Sequence, residues 1–275
     1  MSLSGYTISS SDAIGIFDSG VGGLTVMQQM MQVLPAENLI YFGDTARVPY
    51  GNKSPETIIR YSIENAHFLS EKKIKLLVVA CNTASAYALP ALRAAFSFPV
   101  IGVIEAGAAA AVAATCNHHI AVIGTRATIL SGAYQSSIYA HLPFATLLPI
   151  ACPLFVPLVE EQWLVHPATQ LIVRQYLGPL HHLNIDTLLL GCTHYPLLAS
   201  LIQKEIGENV KLVDSATTCA KAVLELLSKE QLLNDSQQRG EYHYYVSDDP
   251  ERFHSLAAQL LGGLEYQQMH ILQRD

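Results

Sequence analysis

Two cysteines in this sequence stand where an apolar run gives way to polar side chains. Cys81 follows the letters LLVVA, and Cys192 follows LLLG. A thiol in such a position can donate or accept a proton where its surroundings favour the thiolate. Two thiols in matching places predict acid/base chemistry at a shared site, whereas a lone buried cysteine is more often inert.

Hydrogen-bonding side chains directly follow each thiol, and each segment then predicts the start of a helix. They are Asn82 and Thr83 in the first case, and Thr193 and His194 in the second. Because a helix amino terminus stabilises a thiolate, we expect both thiol pKa values to fall below about 8.5. The imidazole beside the second thiol is a candidate proton-handling partner, although a buried core histidine is the alternative.

A glycine-rich segment, FDSGVGGLTV over residues 17–26, joins a predicted strand to a predicted helix. It has neither the GxGxxG spacing nor a P-loop lysine, so it predicts no nucleotide site. Its glycines allow something small to approach the backbone near Asp18 and Ser19. A carboxylate near Cys81 could accept or relay a proton, although Asp18 could instead cap the following helix.

Two further segments can be explained without a role in a functional site. Tyr50 and Gly51, in RVPYGNKSPE, fit a surface turn as well as a ligand loop. Glu160 and Glu161, in PLVEEQW, would ordinarily form the exposed face of a helix.

Short apolar runs alternate with helix-like segments along the chain, which predicts parallel sheets with helices on both faces. The predicted strands are 13–17, 38–42, 75–80, 99–104, 120–124, 145–150, 186–190 and 210–213. The predicted helices are 23–34, 55–72, 84–96, 106–115, 129–140, 153–162, 167–182, 195–206, 216–229 and 250–261.

An approximate internal repeat divides this pattern into two halves. IGIFDSGVGG and IAVIGTRATI begin 106 residues apart, and the two cysteine segments are offset by 111 residues. We therefore predict two pseudo-symmetric α/β domains that face each other across a central cleft. The carboxyl ends of both sheets would meet there and bring Cys81 opposite Cys192.

Composition excludes several classes of protein. Half of the 275 residues are hydrophobic, the net charge is −7, and no apolar run is long enough to span a membrane. Without a Lys/Arg cluster, neither nucleic acid nor an anionic membrane is an expected partner. The odd number of cysteines, without a CxxC pair, predicts reduced thiols, no metal site and a cytoplasmic location.

The motifs DSGVGG, PYG, ACNTAS, VPLVEE and GCTHYPLL, in this order, resemble glutamate racemase of the aspartate/glutamate racemase superfamily. The resemblance spans about residues 14–216. It implies a cofactor-independent isomerase that supplies D-glutamate for peptidoglycan. The absence of a lysine from the strand-end motifs agrees, since a pyridoxal enzyme needs one.

The resemblance also implies roles for individual residues. Cys192 would deprotonate L-glutamate and Cys81 D-glutamate. Asp18 would assist Cys81, whereas His194 and Glu160 would assist Cys192. A glycine often follows the glutamate pair in the family, but Gln162 follows it here. The implied substrate-binding residues are Asp18, Ser19, Tyr50, Gly51, Asn82, Thr83, Thr193 and His194.

We expect a first domain of residues 1–105 plus 217–275 and a second of 106–216. Glutamate is the expected partner, and the family adds homodimerisation and, in some members, contact with DNA gyrase. Three alternatives stay open: a racemase for aspartate or a hydantoin, a Cys192–His194 thiol hydrolase, and a noncatalytic binding protein.

Overall fold

The computed structural model describes residues 8–261 and 271–273, in which ten strands form two parallel sheets. The strands are β1 (Ala13–Asp18), β2 (Leu39–Gly43), β3 (Ile74–Val79), β4 (Val100–Gly102), β5 (His119–Gly124), β6 (Thr146–Ala151), β7 (Thr187–Gly191), β8 (Lys211–Val213), β9 (Tyr242–Val246) and β10 (Ile271–Gln273). The first sheet has the order β10-β9-β2-β1-β3-β4 and the second β6-β5-β7-β8.

Helices connect the strands within these described ranges. They are α1 (Leu24–Val33), α2 (Pro55–Ser70), α3 (Asn82–Ala95), α4 (Val103–Ala114), α5 (Arg126–Leu130), α6 (Ala133–His141), α7 (Phe155–Glu160), α8 (Pro167–Leu177), α9 (Ala199–Ile206), α10 (Ala216–Lys229) and α11 (Pro250–Leu261).

An interior strand of each sheet, β1 in the first and β5 in the second, is covered by helices on both faces. Successive side chains of such a strand point to opposite faces, so they pack against different helices. In β1, Ile16 packs into the core that includes α1 and α10, whereas Phe17 packs toward α2 and α3. In β5, Val122 packs toward α4 and α6, whereas Ile123 packs toward α7, α8 and α9. The predicted fold class, two parallel-sheet α/β domains, is confirmed.

We propose the domain boundaries predicted from the sequence. The strands of the first sheet fall within 1–105 and 217–275, and those of the second within 106–216. The chain would cross between domains near α4 and again near α10. Residues 1–7, 262–270 and 274–275 of the predicted first domain lie outside the described residues.

The structure corrects several predicted elements. The helix predicted over 167–182 is α-helical only to Leu177 and then forms the 3₁₀ turn Gly178–His182, and the strand predicted over 99–104 ends at Gly102, just before α4 begins. Two strands, β9 and β10, were not predicted; β9 has the sequence YHYYV, which is not an apolar run. The helix predicted over 129–140 is two helices separated at Gly132, whose φ of +67° favours glycine. The helix predicted over 195–206 begins as a 3₁₀ turn, Tyr195–Leu198, and becomes α-helical only at Ala199.

Within the described ranges, no helix is both long and apolar enough to cross a bilayer.

Candidate active site

The carboxyl ends of the two sheets meet at a narrow cavity. Both thiols border it, and they are nearly buried, with Cys81 5 % and Cys192 6 % exposed. The cavity has room for about one water molecule. Its lining residues are Ser19, Pro49, Tyr50, Gly51, Cys81, Asn82, Thr83, Thr125, Val156, Cys192, Thr193 and His194. Asp18 and Glu160, the other predicted site residues, lie behind this lining and contact it.

Cys81 occupies the N-cap position of α3, just after β3. Its Sγ accepts a hydrogen bond from the backbone N–H of Ala84 at 3.5 Å, and it lies 3.7 Å from the Ser19 hydroxyl. Burial, and then the nearby Asp18 charge, raise the pKa of Cys81 to about 12, although both hydrogen bonds oppose the rise. Cys81 therefore carries its proton at neutral pH.

The prediction that a helix amino terminus would lower the pKa of Cys81 is wrong. The thiol does lie at that terminus, but a fully buried thiolate loses its hydration, and the Asp18 carboxylate repels it. Desolvation and a neighbouring anion outweigh one long N–H···S contact.

Asp18 ends β1 and is completely buried. Its carboxylate accepts from the backbone N–H of Gly20 at 3.0 Å and from the Thr193 hydroxyl at 3.2 Å. Burial raises its pKa, although the charge of His194 and these hydrogen bonds oppose the rise. The backbone N–H of Gly23, the N-cap residue of α1, also lowers the pKa of Asp18, so this carboxylate holds the start of that helix as well. A buried carboxyl with a raised pKa can receive a proton from a neighbouring thiol.

Cys192 follows β7 and has different neighbours. The Nδ1 atom of His194 lies 4.0 Å from its Sγ. The chain then enters a turn and the 3₁₀ segment Tyr195–Leu198, so Cys192 does not open an α-helix as predicted. A cation at this distance can exchange a proton with a neighbouring thiol.

His194 supplies that cation, because Glu160 holds its other ring nitrogen. Nε2 lies 2.7 Å from Oε1 of Glu160. Burial lowers the pKa of His194, but its hydrogen bonds and charge interactions with Cys192 and Glu160 raise it well above the usual value. Burial conversely raises the pKa of Glu160, but His194 and then Arg252 lower it on balance. The pair is therefore an imidazolium and a carboxylate at neutral pH.

The second glutamate of the pair has a different environment. Glu161 is exposed and lies 3.0 Å from Arg252 of α11, in the first domain. Arg252 also donates to the backbone carbonyl of Glu160 at 3.2 Å. The structure thus brings Glu160, not Glu161, to His194, and α11 holds the end of α7 that carries it.

The glycine-rich segment allows a close approach, as predicted, but what approaches is the second domain. A Cβ atom at Gly22 would lie 2.5 Å from Oγ1 of Thr193 and 2.7 Å from Nδ1 of His194. Such distances are too short for a Cβ contact. A glycine here lets the first domain close against the residues beside Cys192.

Tyr50 borders the cavity, but its hydroxyl is already engaged. It donates to Asp44 and accepts from the side-chain amide of Asn65 at 3.0 Å. Tyr50 therefore contributes its ring and backbone to the cavity. At the next residue, a Cβ on Gly51 would lie 2.4 Å from Cβ of Thr125, so the loop also packs against the second domain.

Thr125 lines the cavity, although none of the sequence motifs places it in the site. Its hydroxyl lies 2.9 Å from those of Thr83 and Thr128, and it caps α5 through the backbone N–H of Thr128 at 3.2 Å. The internal repeat contained the signal, because it aligned Thr125 with Ser19 at the end of the equivalent strand.

The chemistry of the cavity differs from that of a metal or phosphate site. Among the described residues, no lysine or arginine lines it, and no group of three His, Cys, Asp or Glu side chains could hold a metal ion. All five cysteines are free thiols. The cavity offers two thiols that have different neighbours, together with amide and hydroxyl groups in its lining.

The sequence of this chain is similar to those of known proteins. Residues 14–223 match the family described as Asp/Glu/Hydantoin racemase. A glutamate racemase from Geobacter metallireducens is 55 % identical over 251 residues, which cover 91 % of this chain and 93 % of the relative.

Solved structures give the same result. A glutamate racemase from Bacillus anthracis superposes with a TM-score of 0.91 at 39 % identity, covering 97 % of this chain and 98 % of that one. The Francisella tularensis glutamate racemase in complex with D-glutamate superposes with a TM-score of 0.88 at 38 % identity, with the same coverage. The similarity therefore extends over both domains.

Proposed function

The chain belongs to the Asp/Glu/hydantoin racemase family, and we propose that it interconverts L- and D-glutamate with Cys192 and Cys81 as opposed acid/base groups. The activity is that of an isomerase, in agreement with its glutamate racemase relatives. One observation carries the mechanism: two thiols, one from each sheet, border a single cavity with different proton partners.

Inversion at Cα requires one group to remove the α-proton and another to supply a proton to the opposite face. Starting from L-glutamate, the Cys192 thiolate beside the His194 imidazolium takes the α-proton. Cys81, whose pKa of about 12 keeps it protonated, gives its proton to the other face. Starting from D-glutamate, Cys81 first passes its proton to Asp18, whose raised pKa suits it to receive one, and then takes the α-proton. Cys192 receives the proton of His194 and delivers it to the opposite face.

The carbanion between these steps needs stabilisation without a cofactor. Asn82 and Thr83 present neutral donors that could hold the substrate α-carboxylate as it gains negative charge, and Thr193 could join them by giving up its hydrogen bond to Asp18. The side-chain nitrogen of Asn82 is buried without a hydrogen-bond partner among the described residues, so it is available to such a carboxylate.

Access to the cavity requires movement. Glutamate does not fit in a space for about one water molecule, so we propose that the domains part to admit it and close to exclude water. The close contacts at Gly22 and Gly51 would re-form on closure.

The biological setting extends this proposal. D-glutamate made in the cytoplasm would serve peptidoglycan synthesis, as the family resemblance implies. Homodimerisation and a contact with DNA gyrase stay predictions.

Circular dichroism of L-glutamate incubated with the purified protein and no added cofactor tests the activity. We expect the signal to decay to zero, and deuterium from heavy water to appear at Cα of the new D-glutamate. Parallel reactions with L-aspartate and a hydantoin test the neighbouring substrate classes. A signal that decays only for one of these, or only after pyridoxal phosphate is added, would contradict the proposal.

A further inference from the structure

A tyrosine of the second domain reaches an active-site residue of the first. Tyr134, in the first turn of α6, is completely buried. Its hydroxyl donates to Oδ1 of Asn82 at 2.5 Å, and Asn82 is the first residue of α3, next to Cys81. This short hydrogen bond is therefore one of those that join the two domains at the wall of the cavity.

The other end of this amide has no hydrogen-bond partner in the described part of the chain. Nδ2 of Asn82 is buried, and buried amides are nearly always paired. An amide presents an acceptor at one end and two donor hydrogens at the other. We propose that Tyr134 is a positioning residue, which binds Oδ1 of Asn82 and so directs Nδ2 to the substrate carboxylate.

The ring of Tyr134 occupies a slot formed by two glycines. A Cβ at Gly107 would lie 2.9 Å from its hydroxyl oxygen, and a Cβ at Gly191 would lie 2.9 Å from its ring carbon Cε2. Gly191 directly precedes Cys192, so the hydroxyl has a fixed position relative to that thiol as well as to Asn82. Close packing of this kind limits the freedom of the ring to rotate away.

The hydroxyl also stays protonated. Burial and then the charge of Cys192 raise the pKa of Tyr134 well above its ordinary value, against a hydrogen bond with Ser215. Tyr134 therefore remains an O–H donor at every pH at which the enzyme would work.

This role rests on the racemase activity proposed above, and Tyr134→Phe tests it. Loss of the hydroxyl frees the Asn82 amide to rotate, so we expect kcat/KM to fall about 10- to 100-fold, with a higher KM for glutamate. A purely structural role would lower the melting temperature or the active fraction and leave KM unchanged. Wild-type kinetics in this variant would overturn the proposal.

Tyr87→Phe is the matched control. The Tyr87 hydroxyl also crosses between the domains, since it donates to the backbone carbonyl of Ala127 at 3.0 Å. The same atom is removed, but no contact to Asn82 is lost, so we expect kcat/KM within about two-fold of wild type. An equal loss in both variants would show a general effect on domain closure and overturn a specific role for Tyr134.

A double-mutant cycle separates action through Asn82 from independent action. If Tyr134 acts through the amide, Tyr134→Phe should change kcat/KM by less than about two-fold in an Asn82→Ala background. A full additional loss in that background would contradict the assignment.

Binding supplies a readout that does not need turnover. Calorimetry with D-glutamate, on Cys81→Ala protein with and without Tyr134→Phe, should show about ten-fold weaker binding when the hydroxyl is absent. If the wild type fails to racemise glutamate, the proposed function fails, while weaker binding would still support the positioning role. Racemisation with unchanged binding and kinetics would overturn the positioning role alone.

If Tyr134→Phe does not fold, Asn82→Asp tests the orientation of the amide by Tyr134. The carboxylate could still accept from Tyr134, but it would present an oxygen, not a donor, to the substrate carboxylate. We expect it to lose more activity than Asn82→Ala, and equal or higher activity would overturn the proposal.

Discussion

The two thiols lie at the ends of corresponding strands in similar sheets, yet their surroundings differ. Cys81 has a buried carboxylate for a neighbour and the amino terminus of α3 behind it, and its pKa is raised to about 12. Cys192 has an imidazolium at 4.0 Å, held from behind by Glu160. The two similar sheets therefore bring two thiols to one cavity, but the thiols have different proton partners.

That difference fits the proposed reaction. Racemisation needs one acid and one base on opposite faces at the same moment. Surroundings that make the pKa values of two groups differ assign these roles. An anion beside Cys81 favours its protonated form, whereas His194 beside Cys192 can exchange a proton with that thiol.

A thermodynamic constraint decides how this asymmetry can be measured. The two enantiomers have equal free energies, so kcat/KM must be the same in both directions, in the wild type and in every variant. Differences between the halves appear instead in exchange without inversion and in the isotope effect of each deprotonation.

The largest expected effect comes from deleting either thiol. Cys81→Ala and Cys192→Ala should each lower racemisation by about 1,000-fold or more, because a base without an opposing acid cannot complete inversion. In heavy water, Cys192→Ala should still exchange the α-proton of D-glutamate, and Cys81→Ala that of L-glutamate, as followed by proton NMR.

The buried thiol Cys219, in the core of the first domain, is the control. Cys219→Ala should retain racemisation within about two-fold, since we interpret it as an inert hydrophobic side chain. A Cys81→Ala protein that racemises at the wild-type rate would remove the two-thiol mechanism and leave Cys192 and His194 as a hydrolase-like pair.

A smaller effect should follow from Asp18→Asn, which acts on the Cys81 half alone. The amide keeps the shape but cannot take a proton, so we expect kcat to fall about 10- to 100-fold. With glutamate deuterated at Cα, the isotope effect should rise for the D enantiomer and stay near the wild-type value for the L enantiomer. Unchanged kinetics would leave Asp18 only the structural role of holding the Gly20 loop.

Asp18→Asn should also leave the melting temperature unchanged or raise it at neutral pH. The folded-state pKa of Asp18 is raised, so its ionised form costs stability above that pKa, and the cost disappears as the pH falls below the unfolded value of 3.8. Differential scanning calorimetry between pH 4 and pH 8 should show the advantage of the variant shrinking toward the acid end.

The smallest expected effect is that of Glu160→Gln, on the Cys192 half. The amide holds the ring of His194 but stabilises its charge less, so kcat should fall about ten-fold, with a larger isotope effect for L-glutamate only. The adjacent Glu161→Gln, which alters an exposed ion pair, should stay within about two-fold. Equal effects in the two variants would argue that Glu160 acts only by holding the end of α7.

The stability cost of Glu160→Gln should depend on pH. The pKa of His194 is raised, so the pair contributes fully below the unfolded value near 6.5 and loses its contribution as the pH rises through the folded pKa. The pKa of Glu160 is lowered, so the contribution is present above 4.5 and lost as the pH falls through its folded pKa. Melting temperatures should therefore differ most between these limits.

Local pattern in the sequence was enough to predict the strands that carry the thiols. Buried parallel strands read as short apolar runs, and the residues that follow them must lie at one edge of a sheet. The same rule missed β9, because only one of its five residues is aliphatic, although Tyr244 and Val246 are buried. A strand of this kind is defined by its neighbour β2, with which it pairs, and not by its own composition.

Only the tertiary structure decided the proton partners and their pKa values. Thr193 donates to Asp18 from 175 positions away, and Tyr134 reaches Asn82 from 52 positions away, so no local pattern connects either pair. The helix amino terminus predicted a lower pKa for Cys81, but the pKa depends on the balance of hydration lost and charges gained through space. The sequence determines by itself which groups stand at the strand ends, whereas folding sets their distances, and these distances determine the proton partner of each thiol.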